Sequence, residues 1–162
     1  MLKSWNHWLG WTTVLVVAAD WLSKFWIQNQ LSYFQTMSII DGWLSFVNLE
    51  NRGIAFSLFG DSTAAWRTPV LVGIATIVLF ILARIAREIT DQRARFGIAL
   101  VSGGALGNLG DRIANGGVTD FIAVDFFPYI FNLADAAIVT GAILLTIGLA
   151  KTPPDLVPTE PR

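Results

Sequence analysis

The sequence predicts a membrane all-α fold with a small β element, and three observations carry that reading. Hydrophobic residues make up 54% of the 162 and charged residues 14%, against about 45–50% apolar with glycine counted and roughly 25% charged in a soluble domain. Glycine is left out of the 54%, so the true excess is larger, and the mean hydropathy is +0.56. Such a chain lacks the polar side chains to cover its own apolar surface. Four stretches approach the ~20 mostly apolar residues that crossing a hydrocarbon core requires. Between the first two lies a long mixed segment that reads as short strands with an amphipathic surface helix lying on the membrane.

The first span runs from about Trp8 to Ile27. Lys3 and the small residues Val17-Ala18-Ala19 also suit a cleaved secretory signal. Asp20 follows at once, however, and the apolar character continues past it, so the segment is retained as a helix. The mixed segment, about Leu31 to Trp66, alternates in part over Ser38–Phe59 through Trp43, Phe46, Val47, Phe56 and Phe59, with turn pairs at Asp41-Gly42 and Arg52-Gly53. The second span runs from about Pro69 to Ile85, the third from about Phe96 to Ile113, and the fourth from about Phe131 to Ala150. Residues 1–152 form one domain. Four of the six prolines fall in Lys151–Arg162, so the tail 153–162 is expected to be disordered and cytoplasmic.

The eleven basic residues orient the chain. With the N-terminus inside, Lys3, Arg84, Arg87, Arg93, Arg95, Lys151 and Arg162 face the cytoplasm. Arg52, Arg67 and Arg112 fall outside, and Lys24 lies within the first span. Both termini are therefore cytoplasmic, with Trp5, Trp8 and Trp11 as an inner aromatic belt and Trp26 and Trp66 as an outer one.

A charge near the bilayer centre costs at least ~2.5–3.5 kcal/mol on insertion scales, so each asks for a reason. The topology gathers Lys24, Asn108, Asp111, Arg112, Asp120, Asn132 and Asp135 towards the outer end of the bundle, with Asp20 one turn deeper. Asp20 and Lys24, at i and i+4, share a helix face and can neutralise each other. They serve either as an ion pair that makes the helix insertable or as a support for the outer loop and a substrate backbone. Asp111 and Arg112 read either as interfacial snorkelling with a cap or, with Asn108, as one crowded polar face. Asp120 follows the turn Asn115-Gly116-Gly117, and Asp135 sits one turn inside the fourth span with Asn132 three residues before it. The gap between them, broken by Pro128, lets the chain fold back and bring both carboxylates to one depth. Two carboxylates in a partly desolvated pocket share a proton, giving one general base and one general acid for attack on an amide by water. The bland alternative is one Asp as a helix cap and the other bonded to Asn or Arg.

Other chemistries find little support. The absence of Cys excludes disulfides, thiolate metal sites, a Cys nucleophile and S-acylation. A net charge of −1 without a basic run argues against nucleic acid. His7, the single histidine, stands without partners near the inner interface, which leaves no metal site or Ser-His triad. Gly103, Gly104, Gly107 and Gly110 lie inside an apolar span, where such spacing serves close helix packing rather than a phosphate cradle. Gly110-Asp111 matches only part of the GxGD of presenilin-type proteases, because Asn108 stands at its first glycine. A small polytopic transporter and a membrane assembly subunit remain as alternatives. The first would want ionisable residues reaching both faces, and the second leaves Asp120 and Asp135 without work.

Five stretches decide among these readings: Asp20-Trp-Leu-Ser-Lys24, Asn51-Arg-Gly-Ile-Ala-Phe-Ser57, Gly103-Gly-Ala-Leu-Gly-Asn-Leu-Gly-Asp-Arg112, Val118-Thr-Asp-Phe-Ile122 and Phe131-Asn-Leu-Ala-Asp-Ala136. In this order and these spans the chain resembles the lipoprotein signal peptidases (signal peptidase II), bacterial aspartyl peptidases. Ile54 departs from the small residue common at its position and touches no catalytic one. The resemblance implies four transmembrane helices with an extracytoplasmic β-cradle and a surface helix in the bacterial inner membrane. It implies Asp120 and Asp135 as the catalytic dyad and Asn108, Asp111, Arg112 and Asn132 as its polar surroundings. Asp20 and Lys24 become the polar pair of the first helix, and Asn51 and Gly53 part of the loop over the substrate. The implied substrate is a prolipoprotein whose lipobox cysteine carries diacylglyceryl, cleaved just before that cysteine, with no metal or organic cofactor. The expected partners are these substrates and membrane lipid, with no nucleic acid, and the expected state is a monomer.

Overall fold

The computed structural model describes residues 7–53 and 66–150. In chain order, α1 spans His7–Gln30, β1 Thr36–Ile40, β2 Leu44–Asn51, α2 Arg67–Ile85, α3 Gln92–Asn115, β3 Val118–Val124, β4 Phe127–Phe131 and α4 Leu133–Ala150. Phe56 and Phe59 of the expected alternation, the rest of the mixed segment over 54–65 and the proline-rich tail lie outside the described residues. The four helices fall on the four hydrophobic stretches. Two of them, α2 and α4, are long and apolar enough to cross a membrane. The other two are longer, at 24 residues each, but carry Asp20, Lys24, Asn108, Asp111 and Arg112 among their apolar residues.

Helix α3 is the hub, packed against α4, α1 and α2, and its glycines set the distance of approach. A β-carbon at Gly103 would stand 2.7 Å from Val16 Cβ, one at Gly97 would stand 2.6 Å from Leu145 N, and one at Gly104 would collide with the Ala134 carbonyl. The glycine run is thus a packing face, as small residues at i, i+4 predict. Asp91 starts α3, its carboxylate accepting the Arg93 and Ala94 N–H groups at 2.9 Å each. Gly116 ends it with a left-handed φ of 79° that an L side chain rarely adopts, and its N–H bonds to Arg112 O at 3.1 Å.

The strands form one antiparallel sheet in the order β1-β2-β3-β4. The expected strands of the first loop are β1 and β2, turned at Gly42 with φ 67°. The second hairpin corrects the sequence reading, in which residues 114–130 are a folded-back loop. They form β3 and β4, so the fourth helix begins at Leu133 rather than Phe131. Phe131 closes β4 and Asn132 sits between strand and helix. Pro128 fits because β4 is an edge strand, where a missing N–H costs no ladder bond.

The sheet is fastened to the end of α1. Ile27, Leu31 and Phe121 form a buried cluster with Met37, Phe46 and Ile122 packed on it. The Phe46 and Phe121 rings meet edge-on at 5.8 Å and 76°, a favoured aromatic geometry. Gln28 donates to Thr119 Oγ1 at 2.7 Å, so Thr119 and Phe121 both turn to α1. Strand alternation then directs Asp120 to the other face. Asn51 pairs with Val118 and Leu49 with Asp120, which makes Asn51 and Asp120 diagonal neighbours on one face.

Candidate active site

Asp120 and Asp135 meet through the amides of three asparagines. Asp120 accepts from Asn132 Nδ2 at 2.6 Å and from Asn51 Nδ2 at 2.9 Å, one bond on each oxygen. Asp135 accepts from Asn108 Nδ2 at 2.8 Å and from the Asn132 backbone N–H at 3.2 Å. Asn132 therefore bridges the two carboxylates and is fully buried, while Asp120 is 4% exposed.

Each amide has its orientation dictated from its oxygen side. Asn51 Oδ1 accepts the Gly53 N–H at 2.9 Å, Asn132 Oδ1 the Asp135 N–H at 2.9 Å, and Asn108 Oδ1 the Lys24 ammonium at 2.9 Å. Backbone N–H and ammonium groups only donate, so the oxygen of each amide must face them and the NH2 must face a carboxylate. Asn132 and Asp135 also form a reciprocal capping pair at the start of α4, each side chain accepting the other's backbone N–H. The bland reading of Asp135 as a helix-terminal residue is thus correct in itself, and the same bond fixes the carboxylate beside Asp120.

Beneath the carboxylates lies a buried charge cluster. Lys24 Nζ contacts Asp20 Oδ2 at 2.7 Å, Asn108 Oδ1 at 2.9 Å and Asp111 Oδ2 at 2.9 Å. These three acceptors match its three N–H bonds. Asp20 Oδ1 accepts the Ala134 N–H at 2.9 Å, placing a negative charge at the N-terminus of α4, where the helix dipole favours it. Gly107 makes room, since a β-carbon there would stand 2.6 Å from Asp20 Oδ2. The sequence pairing of Asp20 with Lys24 holds, and the cation beside Asp111 is Lys24. Arg112 instead donates to the Asn108 carbonyl at 3.2 Å and the Gly53 carbonyl at 3.1 Å, tying α3 to the end of β2.

Burial pushes the Asp120 carboxyl from its ordinary 3.8 up to about 6. The Asn51 and Asn132 amides favour the anion and oppose this rise, while the negative field of Asp135 adds to it. The structure also adds residues that sequence reasoning missed. Arg67 is 6% exposed and donates to the Arg52 carbonyl at 3.2 Å. Trp21 Nε1 donates to the Gly107 carbonyl at 3.2 Å, and Gln28 holds Thr119 beside Asp120. Their spacing gave no sign of these bonds, which depend on where the loops return.

The family model described as "Signal peptidase (SPase) II" matches residues 12–151. The lipoprotein signal peptidase of Solibacter usitatus is 41% identical over 142 residues, covering 85% of this chain and 87% of that protein. The lipoprotein signal peptidase of Pseudomonas syringae pv. tomato is 41% identical over 154 residues, covering 90% of this chain and 86% of the relative. A bacterial membrane enzyme solved by the in meso method at 1.9 Å resolution superposes with a TM-score of 0.82 at 28% identity, covering 93% of this chain and 98% of the other. With Asp120 and Asp135 joined through Asn132 and these matches running over most of the sequence, the chain belongs to the signal peptidase II family.

Proposed function

We propose that this protein is an intramembrane aspartyl endopeptidase that removes signal peptides from diacylglyceryl-modified prolipoproteins, cutting before the lipidated cysteine. The observation that carries the reading is the pair of buried Asp120 and half-buried Asp135, bridged by fully buried Asn132. The names of the relatives support the substrate class. Two carboxylates bridged by one residue and repelling each other's charge do not both ionise readily, so they hold one proton between them. Asp120, whose carboxyl is pushed up to about 6 by burial, carries that proton below this pH. Asp135, held by the Asn108 amide and the Asn132 N–H, is the base.

Asp135 takes a proton from a water molecule, and the water oxygen attacks the scissile carbonyl carbon. The C=O π bond opens, and Asp120 hydrogen-bonds or protonates the oxyanion. The tetrahedral species then collapses: the C=O bond re-forms, returning to Asp120 any proton it gave, the C–N bond breaks, and the leaving amine takes the proton held by Asp135. A peptide strand opened at this depth needs replacement hydrogen bonds, because unsatisfied amides in lipid cost several kcal/mol. The Asn51–Gly53 backbone and the amide of Asn132 stand closest to that need.

All four helices are membrane spans in this reading, with α1 and α3 turning their polar residues inward to the buried cluster. Trp8 and Trp11 lie exposed towards one end and Trp26 and Trp66 towards the other, which suits aromatic belts. Both termini are cytoplasmic and the carboxylates face the outer leaflet. The enzyme works as a monomer in lipid, without a cofactor or nucleic acid.

The acid–base assignment is tested by pH. Because the folded-state value of Asp120 is raised, its proton is present below about 6 and lost as pH rises through it. The associated native-state stabilisation is complete below 3.8 and lost over the same rise. We expect kcat/KM for a lipidated substrate to fall with rising pH with a limb near 6, since this ratio reports the free enzyme. The kcat limb should lie at higher pH, because bound substrate excludes more water from Asp120. A kcat/KM that climbs through this range to a high-pH plateau contradicts Asp120 as the acid.

A further inference from the structure

Strand β2 leaves the sheet at Asn51, whose ladder partner is Val118. At Arg52 and Gly53, the described residues beyond it, no strand pairing holds the chain, yet Asn51 must stay 2.9 Å from Asp120. Two guanidinium groups grip the backbone there. Arg67 Nη1 donates to the Arg52 carbonyl at 3.2 Å, and Arg112 Nη2 to the Gly53 carbonyl at 3.1 Å. The Arg52 side chain itself turns outward to Glu50 at 2.9 Å and is 68% exposed. Next to Arg67, Thr68 Oγ1 donates to the Gly116 carbonyl at 3.1 Å, just before β3. The start of α2 therefore holds both segments that carry Asn51 and Asp120.

The setting of Arg67 is costly. It is buried at the first residue of α2, where the helix dipole disfavours a cation. It pairs with no carboxylate among the described residues, and its Nε is buried without a hydrogen-bond partner there. An arginine serving only the interface would extend towards the headgroups, and a packing role would be met at less cost by an apolar side chain. A buried group with an unmet donor calls for an explanation.

We propose that Arg67 is a positioning residue that clamps the Arg52 carbonyl, with Arg112 on Gly53 as the second jaw, so that the Asn51 amide stays on Asp120. The clamp rests on the dyad reading above for its effect on turnover, but its mechanical part is separately measurable. The full-length protein in detergent is assayed on a lipidated prolipoprotein peptide as wild type, Arg67→Met and Arg67→Lys. Amide exchange at Gly53, whose N–H bonds to Asn51 Oδ1, is followed in parallel. Arg67→Met should lower kcat about tenfold or more and raise KM by a smaller factor, because the clamped backbone positions Asn51 and also lies beside the substrate strand. It should also speed Gly53 exchange. Arg67→Lys, which still presents a donor to the carbonyl, should recover most of both.

A raised KM with unchanged kcat would make Arg67 a substrate-binding residue and overturn the clamp, as would unchanged kcat with unchanged exchange. If the wild type cleaves no lipidated peptide, the peptidase reading fails, and exchange alone decides the clamp: faster exchange in Arg67→Met supports it and equal exchange refutes it. If Arg67→Met does not accumulate, Arg67→Gln takes its place with the same expected outcomes.

Discussion

Asp120→Asn and Asp135→Asn should each reduce cleavage at least ~10²-fold and up to ~10⁴-fold, the range that acid–base groups contribute. An amide neither takes a proton from water nor donates an acidic one. The substitutions keep size and leave the protein inserted, but they are not silent structurally. Each carboxylate accepts two N–H bonds, and an asparagine offers only one oxygen to those donors. A cost of about 1 kcal/mol in stability is expected for each, with Asp135→Asn also weakening the capping pair at the start of α4. Thermal denaturation in detergent separates this small cost from the large loss of turnover. Near-normal turnover in either variant would remove the aspartyl mechanism.

Lys24→Met should have the largest effect on stability. The Lys24 side chain is 3% exposed, and its ammonium contacts Asp20, whose side chain is fully buried, and Asp111, whose side chain is 13% exposed. Removing it leaves two carboxylates facing each other without a cation, and breaking a buried ion pair typically costs ~3–5 kcal/mol. It also frees the oxygen of Asn108, which no longer has a donor to dictate which way its NH2 points. Turnover in whatever protein folds should therefore fall as well. The double variant Lys24→Met with Asp111→Asn should recover part of the stability, because one unpaired charge is removed with its partner. Equal melting temperatures for Lys24→Met and wild type would mean that the cluster carries no such energy.

Local spacing made part of this site legible. Asp20 and Lys24 sit one helical turn apart, and period alone makes them a pair. The glycine run of α3 read as a packing face for the same reason. Asn132 three residues before Asp135 carried the capping geometry, although its second duty, bridging to Asp120, needs the sheet. The missed hairpin had a signal: Val118–Val124 is rich in β-branched and aromatic residues between Gly116-Gly117 and Asp125. Its Asp120 and the following Pro128 made it read as a loop. Arg67 and Gln28 left no signal, because their partners at Arg52 and Thr119 are set by tertiary returns of the chain. Lys24 reaching Asp111 is of the same kind.

The central claim is most directly tested by incubating the purified wild type with a prolipoprotein carrying diacylglyceryl on its lipobox cysteine, and with the same prolipoprotein unlipidated, and reading the products by mass spectrometry. One new N-terminus, at the lipidated cysteine, is expected from the first substrate and essentially none from the second. Cleavage at another bond, equal cleavage of both forms, or an intact lipidated substrate would contradict it.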